Sequence, residues 1–455
     1  MKAGIVLAAG AGTRAWPYAV VRPKVMVPIA NKPLLSFSVD AMKAIGITRI
    51  IVVAGEFAER ISNYYRSDPA IRVVKHPSSR GTAESLIAAL HDFEEDEILV
   101  AYGDTVVDPG DLRSLMALFA KRGNAALVDP LGAESSRDWI CCSVRETKIE
   151  DVLGHPRDGA THRFAAFAFG RDIFPHLLSN SGIFTKVQVG MMPPTEGFVE
   201  MSLADWIADG HEIAACETRG TFLDVDKPWQ ILEANRIVGQ ALCESLRSNE
   251  LAEGASIDDT ADIEGFVRLG TGSTIGRNVR VRGNLIVGDR TRVENGAIID
   301  GHTIVGNDCL LANYCMIDGG AVIGDRCVVN HCAELNGLLM EGVYLYHYME
   351  FYGILGCNTD LGAATVCGTL RFDDGETTHT VKGRREHPRH HSNASYLGDY
   401  VRTGVNAIIM PGCKVGVYSI VGPGVLLSED LPNGTRVSVR QVLERGEWGP
   451  DRYGW

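Results

Sequence analysis

The stretch IGRNVRVRGNLIVGDRTRVENGAIIDGHTIV, residues 275–305, decides the fold of the second half of this chain. An aliphatic residue returns at every sixth position through it, and one aliphatic per six residues is typical of a parallel β-helix, in which that residue points into the core. We therefore predict a hexapeptide-repeat β-helix. The positions in one unbroken register are Ile257, Ile263, Leu269, Ile275, Val281, Val287, Val293, Ile299, Val305, Leu311, Ile317, Ile323, Val329 and Leu335.

The six-residue register then breaks in two places. It is lost at Glu341 and His347 and resumes in a shifted frame at Leu355 and Leu361. The second break is the segment RFDDGETTHTVKGRREHPRHHSNAS, residues 371–395. Interruptions of a solenoid usually map to surface loops, often on the binding surface. We therefore expect residues 371–395 to protrude as a loop.

The first half of the chain has a different pattern, in which strand-length apolar runs alternate with helical stretches. Runs such as GIVLAAG, RIIVVAG and EILVAYGD predict an α/β fold with a Rossmann-like, mostly parallel sheet. Ligands of such sheets bind at the carboxyl ends of the strands. We place the α/β domain at 1–227, a linking helix at 228–250, the β-helix at 251–440 and a tail at 441–455.

Composition excludes several classes of partner. The net charge of −13 argues against a protein that binds nucleic acid or anionic membranes, because such proteins are basic. We find no signal peptide and no apolar run of about 18 residues, so we expect a soluble, cytoplasmic protein. The 11 cysteines include no CxxC pair, which favours apolar fillers in a reducing compartment. The expected partners are small molecules.

The loop LAAGAGTRAWPYAVVRPK, residues 7–24, follows the first apolar run. Glycines such as Gly10 and Gly12 let a backbone approach a ligand closely, and exposed amides bind anions. The loop lacks the third glycine of the dinucleotide fingerprint and the GK[ST] of a P-loop. Two interpretations stay open, which are a phosphate cradle and a tight turn that binds no ligand.

Three aspartates end later apolar runs. Asp104 closes the sequence YGD, and Asp224 and Asp226 lie in TFLDVD. Carboxylates together with substrate phosphates are typical ligands of Mg²⁺, so the pattern favours phosphoryl or nucleotidyl transfer. The alternative for each aspartate is a capping role at a helix or turn.

Several motifs in this order carry a family resemblance. LAAGAGTR, RPK, GTA at 81–83, YGD and VDKPWQILEAN look like the sugar-1-phosphate nucleotidylyltransferase family. With the hexapeptide repeat, the whole chain resembles the bifunctional N-acetylglucosamine-1-phosphate uridylyltransferase family. The later segments LRFDDG, VKGRR and VRTGVNAIIMPG are similar to its archaeal-type branch. The resemblance implies a nucleotidyltransferase domain followed by a left-handed β-helix.

The resemblance implies a role for each matching residue. Arg14 and Lys24 would stabilise the phosphates, and Asp104 with Asp226, or less favourably Asp224, would hold Mg²⁺. The sugar phosphate would attack the α-phosphorus of a nucleoside triphosphate in line and release pyrophosphate. The residues that would bind the nucleotide are Leu7, Ala8, Ala9, Gly10, Gly12, Thr13, His76, Gly81, Thr82 and Gly103.

The chain also departs from the family at its substrate positions. His76 replaces a base-reading glutamine and lacks the fork of a carboxamide, so the preferred base stays open. A glutamate and an asparagine are missing among the sugar positions. Either the acceptor is an unusual sugar phosphate, such as a deoxy, amino or pseudo-sugar, or this half has lost activity and binds a nucleotide sugar as a scaffold. The positions assigned to the sugar are Trp139, Ile140, Gly154, Phe164 and Glu196.

For the β-helix, the resemblance implies a homotrimer that transfers an acyl group from acetyl-CoA to an amino sugar. His347 would be the general base, because a histidine can take up a proton near neutral pH. Counting back from Gly362 places Tyr346 at that position instead. A β-helix that only assembles the oligomer is the alternative. The residues assigned to acyl-CoA are Lys382, Arg384, Arg385 and Thr403.

Overall fold

The computed structural model describes residues 1–77, 80–91, 93–132, 136–154, 157–180 and 196–449, and its first unit comprises Met1–Leu242 with Thr380–Arg385. The strands of the α/β domain are β1 (Ala3–Ala8), β2 (Pro28–Ile29), β3 (Lys32–Pro33), β4 (Arg49–Ala54), β5 (Ile71–Lys75), β6 (Glu97–Tyr102), β7 (Thr105–Val107), β8 (Ala125–Pro130), β9 (Cys141–Arg145), β10 (Lys148–Leu153), β11 (His162–Gly170), β12 (Ala214–Glu217) and β13 (Phe222–Asp224). The helices are α1 (Leu34–Ala44), α2 (Ala58–Tyr64), α3 (Thr82–Leu90), α4 (Pro109–Arg122), α5 (Phe174–Leu178), α6 (Val199–Ala208) and α7 (Pro228–Glu244). In the part of the chain that the structure describes, no helix is long and apolar enough to cross a membrane.

A nine-stranded sheet organises this domain in the order β5-β4-β1-β6-β11-β8-β12-β10-β9. Strands β5, β4, β1 and β6 are mutually parallel, as the alternating pattern predicts. Strand β11 runs antiparallel to both β6 and β8, so the far half of the sheet is mixed. Two apolar clusters cover the two faces of the sheet. The α/β class is confirmed, and the carboxyl ends of β1 and β6 lie side by side.

Helix boundaries follow local sequence signals. Asp108 caps α4, since its carboxylate accepts a hydrogen bond from the Gly110 amide at 2.6 Å, and Pro109 occupies the first turn. Helix α7 covers Pro228–Glu244, within the segment 228–250 that the sequence analysis assigns to a linking helix. The amides of Asp226 and Lys227 donate to the side-chain oxygen of Gln230 at 2.9 Å, which fixes the loop that enters α7.

The second unit, Cys243–His379 with Glu386–Trp455, is a parallel β-helix. Its core is one apolar column that includes every aliphatic of the unbroken register from Leu269 to Leu335. All 11 cysteines of the chain are free, and most lie buried, as expected for apolar fillers. The strands of the β-helix and of its insertion are β14 (Glu250–Leu251), β15 (Ser256–Ile257), β16 (Asp262–Glu264), β17 (Val267–Leu269), β18 (Thr274–Ile275), β19 (Arg280–Arg282), β20 (Leu285–Val287), β21 (Arg292–Val293), β22 (Ile298–Asp300), β23 (Thr303–Val305), β24 (Leu310–Leu311), β25 (Met316–Asp318), β26 (Val322–Ile323), β27 (Val328–Asn330), β28 (Glu334–Leu339), β29 (Tyr344–Tyr346), β30 (Glu350–Leu355), β31 (Asp360–Leu361), β32 (Val366–Cys367), β33 (His379–Val381), β34 (Arg384–Glu386), β35 (Ser395–Leu397), β36 (Arg402–Thr403), β37 (Ile408–Ile409), β38 (Lys414–Val415), β39 (Ile420–Val421), β40 (Leu426–Leu427) and β41 (Arg436–Val437).

The first register break is a tightened corner of the β-helix. Strand β28 runs across this corner without interruption, pairing with β25 at Leu335 and with β26 at Leu339. Gly337, at φ 134, allows the bend, because this region of backbone conformation favours glycine. The inward positions are therefore Leu339 and Leu345, and the coil continues past the apparent loss of register at Glu341.

The second break is an insertion, as predicted. Strand β30 resumes its ladder with β35 through the pair Leu355 and Leu397, and the inserted segment contains the small β33–β34 ladder. His379 lies buried at its base, where its Nε2 is 2.7 Å from the Ser392 carbonyl oxygen and its Nδ1 is 3.2 Å from Lys414 Nζ. Burial and the Lys414 charge lower the pKa of His379 to about 4, so this imidazole stays neutral.

Candidate active site

The glycine-rich loop leaves the carboxyl end of β1 and turns at Gly12. Gly12 has φ 64, and a Cβ atom there would lie 2.6 Å from the Lys24 Cβ. Its carbonyl accepts from the Ala15 amide at 2.9 Å, which closes a short 3-10 turn over Thr13–Ala15. Only glycine fits both the backbone conformation and the close approach of Lys24. The loop therefore brings Arg14 and Lys24 to the same end of the sheet.

Lys24 lies at the centre of the predicted site. Its side chain is 7% exposed, and its Nζ is 2.6 Å from Asp104 Oδ2 and 2.5 Å from Asp226 Oδ1. Burial alone would lower the pKa of this ammonium, but the two carboxylates outweigh burial and raise it. Lys24 is thus a charged ammonium clamped between two aspartates.

A two-stranded ladder brings the aspartates together across more than a hundred residues. Strand β7 pairs antiparallel with β13, so that Thr105 lies opposite Asp224. The amide of Val225 donates to the Asp104 carbonyl at 3.0 Å, which extends the ladder. Because Asp104 precedes β7 and Asp226 follows β13, their side chains meet at the carboxyl edge of the sheet.

Asp224, the last residue of β13, and Asp226, two residues beyond it, have opposite surroundings. Asp226 faces Lys24 with one oxygen and Arg14 Nη2, at 2.7 Å, with the other, and these cations lower its pKa despite burial. Burial and the charges of Asp226 and Asp104 raise the pKa of Asp224 to about 7. The indole Nε1 of Trp139 donates a hydrogen bond to Asp224 Oδ2.

These carboxylates form a group of the kind that holds a divalent cation. Asp104, Asp224 and Asp226 each offer an oxygen within 4.8 Å of the others. Oxygen donors suit Mg²⁺, which commonly takes one or two protein carboxylates beside substrate phosphates. Since both oxygens of Asp226 face cations, Asp104 and Asp224 fit a metal better than the predicted pair Asp104 and Asp226.

A corner of the β-helix carries the predicted general base. His347 is exposed and has φ 69, and its Nδ1 is 2.9 Å from Nδ1 of His331 on the preceding coil. The Tyr346 ring packs edge-on to both imidazoles, with centroids 4.3 Å from His347 and 5.0 Å from His331. One of the two Nδ1 atoms must therefore donate its proton to the other.

Comparison with known proteins assigns both halves of the chain. Residues 4–178 match the MobA-like NTP transferase domain, and residues 248–341 match the GMPPB C-terminal domain. The bifunctional protein GlmU of Methanococcus maripaludis strain C7 is 30% identical over 96% of this chain and 98% of its own length. This chain belongs to the bifunctional GlmU family. A bifunctional sugar-1-phosphate nucleotidylyltransferase/acetyltransferase of Sulfurisphaera tokodaii is 25% identical over 95% of this chain and 99% of its own.

Solved structures resemble about half of this GlmU-family chain. The inositol-1-phosphate CTP transferase of T. maritima has a TM-score of 0.43 at 19% identity and covers 50% of this chain and 91% of its own. A UDP-glucose pyrophosphorylase bound to UDP-glucose has a TM-score of 0.45 at 17% identity, over 52% of this chain and 98% of its own.

The predicted nucleotide residues of this family member divide into two groups. Gly10, Gly12 and Thr13 line the exposed or half-exposed loop, whereas Leu7 and Ala8 are buried in β1. The Leu7 carbonyl accepts from the Gly103 amide at 2.8 Å, so both residues hold β1 beside β6. These buried residues position the loop through the backbone.

A second set of predicted nucleotide residues lies around the start of α3. Gly81 has φ 117, and a Cβ there would lie 2.1 Å from the Gly197 carbonyl oxygen. The Thr82 hydroxyl accepts from the Val199 amide at 3.0 Å and so connects α3 to the start of α6. His76 follows β5, its amide donates to the Ala54 carbonyl, and its Nε2 is 3.9 Å from Glu84 Oε2.

Few of the predicted sugar residues present a polar group to a ligand. Phe164 is 5% exposed and packs on Phe167, Gly154 is buried, and Glu196 is exposed. The sequence reasoning missed Glu200, which is buried in α6 and accepts a hydrogen bond from the Tyr102 hydroxyl. No motif signals this contact, because the two residues lie 98 positions apart.

The residues predicted to bind acyl-CoA belong to both units of the chain, with Lys382, Arg384 and Arg385 in the first and Thr403 in the second. Arg384 Nη2 lies 2.5 Å from Asp138 Oδ1 within the first unit, while Lys382 and Arg385 are exposed. Thr403 is 8% exposed, and its hydroxyl accepts from the Gly362 amide at 2.9 Å. The Thr403 hydroxyl is therefore engaged inside the β-helix, and an acyl-CoA site at these four residues stays a prediction.

Proposed function

We propose that the α/β domain of this GlmU-family chain is a Mg²⁺-dependent sugar-1-phosphate nucleotidylyltransferase. The observation that carries this proposal is the convergence of Lys24, Arg14 and the three aspartates beside the glycine-rich loop. The substrates are a nucleoside triphosphate and a sugar 1-phosphate, and the products are a nucleotide sugar and pyrophosphate.

Each group at the site has a role in such a transfer. Asp104 and Asp224 hold the cation, which supplies charge neutralisation for the phosphates when bound. Arg14, with its side chain 38% exposed, and Lys24 bind phosphate oxygens and stabilise the charge that develops during in-line attack. The loop amides around Gly12 orient the triphosphate.

Pyrophosphate release from each nucleoside triphosphate, with a panel of sugar 1-phosphates and Mg²⁺, tests this proposal. Asp104→Ala should abolish release, because it removes a metal ligand and a partner of Lys24. Asp96→Ala, at an exposed aspartate that pairs with Arg171, is the matched control and should retain full release. Nucleotide binding without release by the wild type, across the panel, would support a binding-only scaffold instead.

A second activity, acyl transfer by the β-helix, is favoured by the exposed His347 and by the bifunctional relatives. His347 would take a proton from the amine of an amino sugar phosphate as the amine nitrogen attacks the thioester carbon of acetyl-CoA. The C–S bond would then break, and the coenzyme A thiolate would leave with the proton returned by His347. His347→Ala should abolish thiol release and spare pyrophosphate release, while His387→Ala, at an exposed histidine of the insertion, should change neither. Thiol release that persists in His347→Ala would leave the β-helix an assembly module or point to another base.

The β-helix would also assemble the chain as a homotrimer. Its outward aliphatic side chains Ile408, Ile420 and Leu426 are 42%, 43% and 60% exposed. Such surfaces commonly mark an interface between protein chains. Sedimentation equilibrium would give three times the chain mass if the proposal holds, and a monomer mass would contradict it.

A further inference from the structure

Trp139, predicted from the sequence to bind the sugar, contacts the carboxylate cluster. Its indole Nε1 donates to Asp224 Oδ2, and the two residues lie 85 positions apart. Among the described residues, only Trp139 donates a hydrogen bond to the Asp224 side chain. The indole therefore engages Oδ2, and Oδ1 of Asp224 is left to serve as a ligand within the group of three carboxylates. An indole N–H can donate but cannot accept, so this contact selects one carboxylate oxygen.

The indole itself is held in a fixed orientation. The Arg163 guanidinium carbon lies 4.3 Å from the Trp139 ring centroid and 5.1 Å from that of Phe222. Arg163 is 8% exposed and pairs with Asp129 at 2.8 Å, and Asp129 in turn accepts from the Thr218 hydroxyl at 2.6 Å. A buried guanidinium is costly unless it is paired, and here the pair places a flat cation against the indole.

The backbone of Trp139 is fixed as well. Its carbonyl oxygen accepts from Arg157 Nε at 2.6 Å. Ring, N–H and backbone thus each have a separate partner, and the side chain has little freedom to turn away from Asp224. Such support is typical of residues that orient a metal ligand through a hydrogen bond.

We infer that Trp139 is a positioning residue that orients Asp224 so that its free oxygen faces the divalent cation. This inference rests on the proposed function, in which Asp104 and Asp224 hold that cation. Trp139 would hold the carboxylate in the binding orientation before the cation arrives, so that less ordering is needed on binding. Trp139 would then act through Asp224 and would not read the sugar.

The test is direct binding of Mn²⁺ to the full-length protein without nucleotide, followed by electron paramagnetic resonance of the free ion. Trp139→Phe keeps an aromatic ring beside Arg163 but removes the N–H. We expect its Mn²⁺ dissociation constant to rise about 10- to 100-fold, the usual effect of removing such a partner. Trp206→Phe is the matched control, because it removes an indole N–H that donates to the Glu212 carbonyl in the same domain. Its affinity should equal that of the wild type.

A kinetic readout separates positioning from a general loss of structure. In Trp139→Phe the metal concentration for half-maximal pyrophosphate release should rise by the same factor, and saturating metal should restore kcat. If Trp139→Phe fails to fold, Arg163→Lys keeps a cation near Asp129 but loses the planar stack, and it should weaken Mn²⁺ binding several-fold. Unchanged or tighter Mn²⁺ binding in a folded variant would overturn the inference. A wild type that binds no Mn²⁺ would overturn the metal site of the proposed function as well.

Discussion

Asp224→Asn should stabilise the metal-free protein while it disables the enzyme. Asp224 lies with two other carboxylates, each offering an oxygen within 4.8 Å of the others. Lys24 and Arg14 are engaged with Asp226, and burial and the two neighbouring carboxylates raise the pKa of Asp224 from 3.8 to about 7. Above that pH the folded protein must ionise a group that ionises more easily when the chain is unfolded.

The pKa shift of Asp224 determines how much stability Asp224→Asn should gain. Three pKa units correspond to about 4 kcal/mol, and the partial exposure of Asp224 reduces this to about 3 kcal/mol. An asparagine oxygen still accepts from Trp139, but the hydrogen bond to a neutral group is weaker by about 1 kcal/mol. The net gain of about 2 kcal/mol corresponds to a rise in Tm of about 4–8 °C for a domain of this size.

The stability change caused by Asp224→Asn depends on pH. Because the folded-state pKa of Asp224 is raised, the wild type loses stability as pH rises from 4 to 7 and stays destabilised above 7. At pH 5, where Asp224 is protonated in the folded state, Asp224→Asn should therefore give little or no gain.

Thermal melts in EDTA at pH 5 and pH 8 measure this difference. The comparison variant is Asp226→Asn, which leaves Arg14 without its carboxylate and Lys24 with Asp104 alone, and it should lose about 3 kcal/mol at pH 8. The two substitutions lie two residues apart and should move Tm in opposite directions. A lower Tm for Asp224→Asn at pH 8, or an equal gain at pH 5, would refute this account of the cluster.

Two further predictions follow from the backbone and from a buried histidine. Gly12→Ala should lower kcat for pyrophosphate release about 100-fold, because a Cβ 2.6 Å from the Lys24 Cβ at φ 64 displaces the lysine; an unchanged kcat would contradict this role of the turn. His379 has a pKa lowered to about 4 by burial and by Lys414, so acid should destabilise the protein as pH falls below 6.5. In urea unfolding, lowering the pH from 7 to 4.5 should reduce the free energy of unfolding of His379→Gln by about 2–3 kcal/mol less than that of the wild type. Equal reductions in the two proteins would assign the acid sensitivity to other groups.

The β-helix was readable from the sequence because each coil repeats one simple constraint, an inward aliphatic. The corner at Gly337 was not, since a shortened coil and an inserted loop disturb a six-residue count in the same way. The structure separates them by strand pairing, where Leu335 faces Phe351 and Leu339 faces Leu355. The signal available in the sequence was the pair Gly337 and Gly353, one shortened coil apart, both at φ near 135.

At the candidate active site, the sequence predicted the participants but could not show how the surroundings of Asp224 and Asp226 differ. Asp224 ends β13 and Asp226 lies two positions beyond it, so the alternation of a strand, extended past its end, predicts both on one side. What distinguishes them is which one meets Lys24 and Arg14, and those residues come from a loop about 200 positions earlier. Trp139 illustrates the same limit, because its partner is determined by tertiary packing alone.

The charge balance of the cluster explains why nucleotide and cation should bind together. Three carboxylates face two cations, so one negative charge is left over, and it falls on Asp224. A triphosphate that attracts Lys24 and Arg14 would leave the negative charge of the aspartates unbalanced. A dication held by Asp104 and Asp224 would balance that charge again. If Lys24 and Arg14 stayed on Asp226, the carboxylates would repel a triphosphate that arrives without a metal ion. The site therefore favours a metal–nucleotide pair over either component, which follows from the number and placement of its charges.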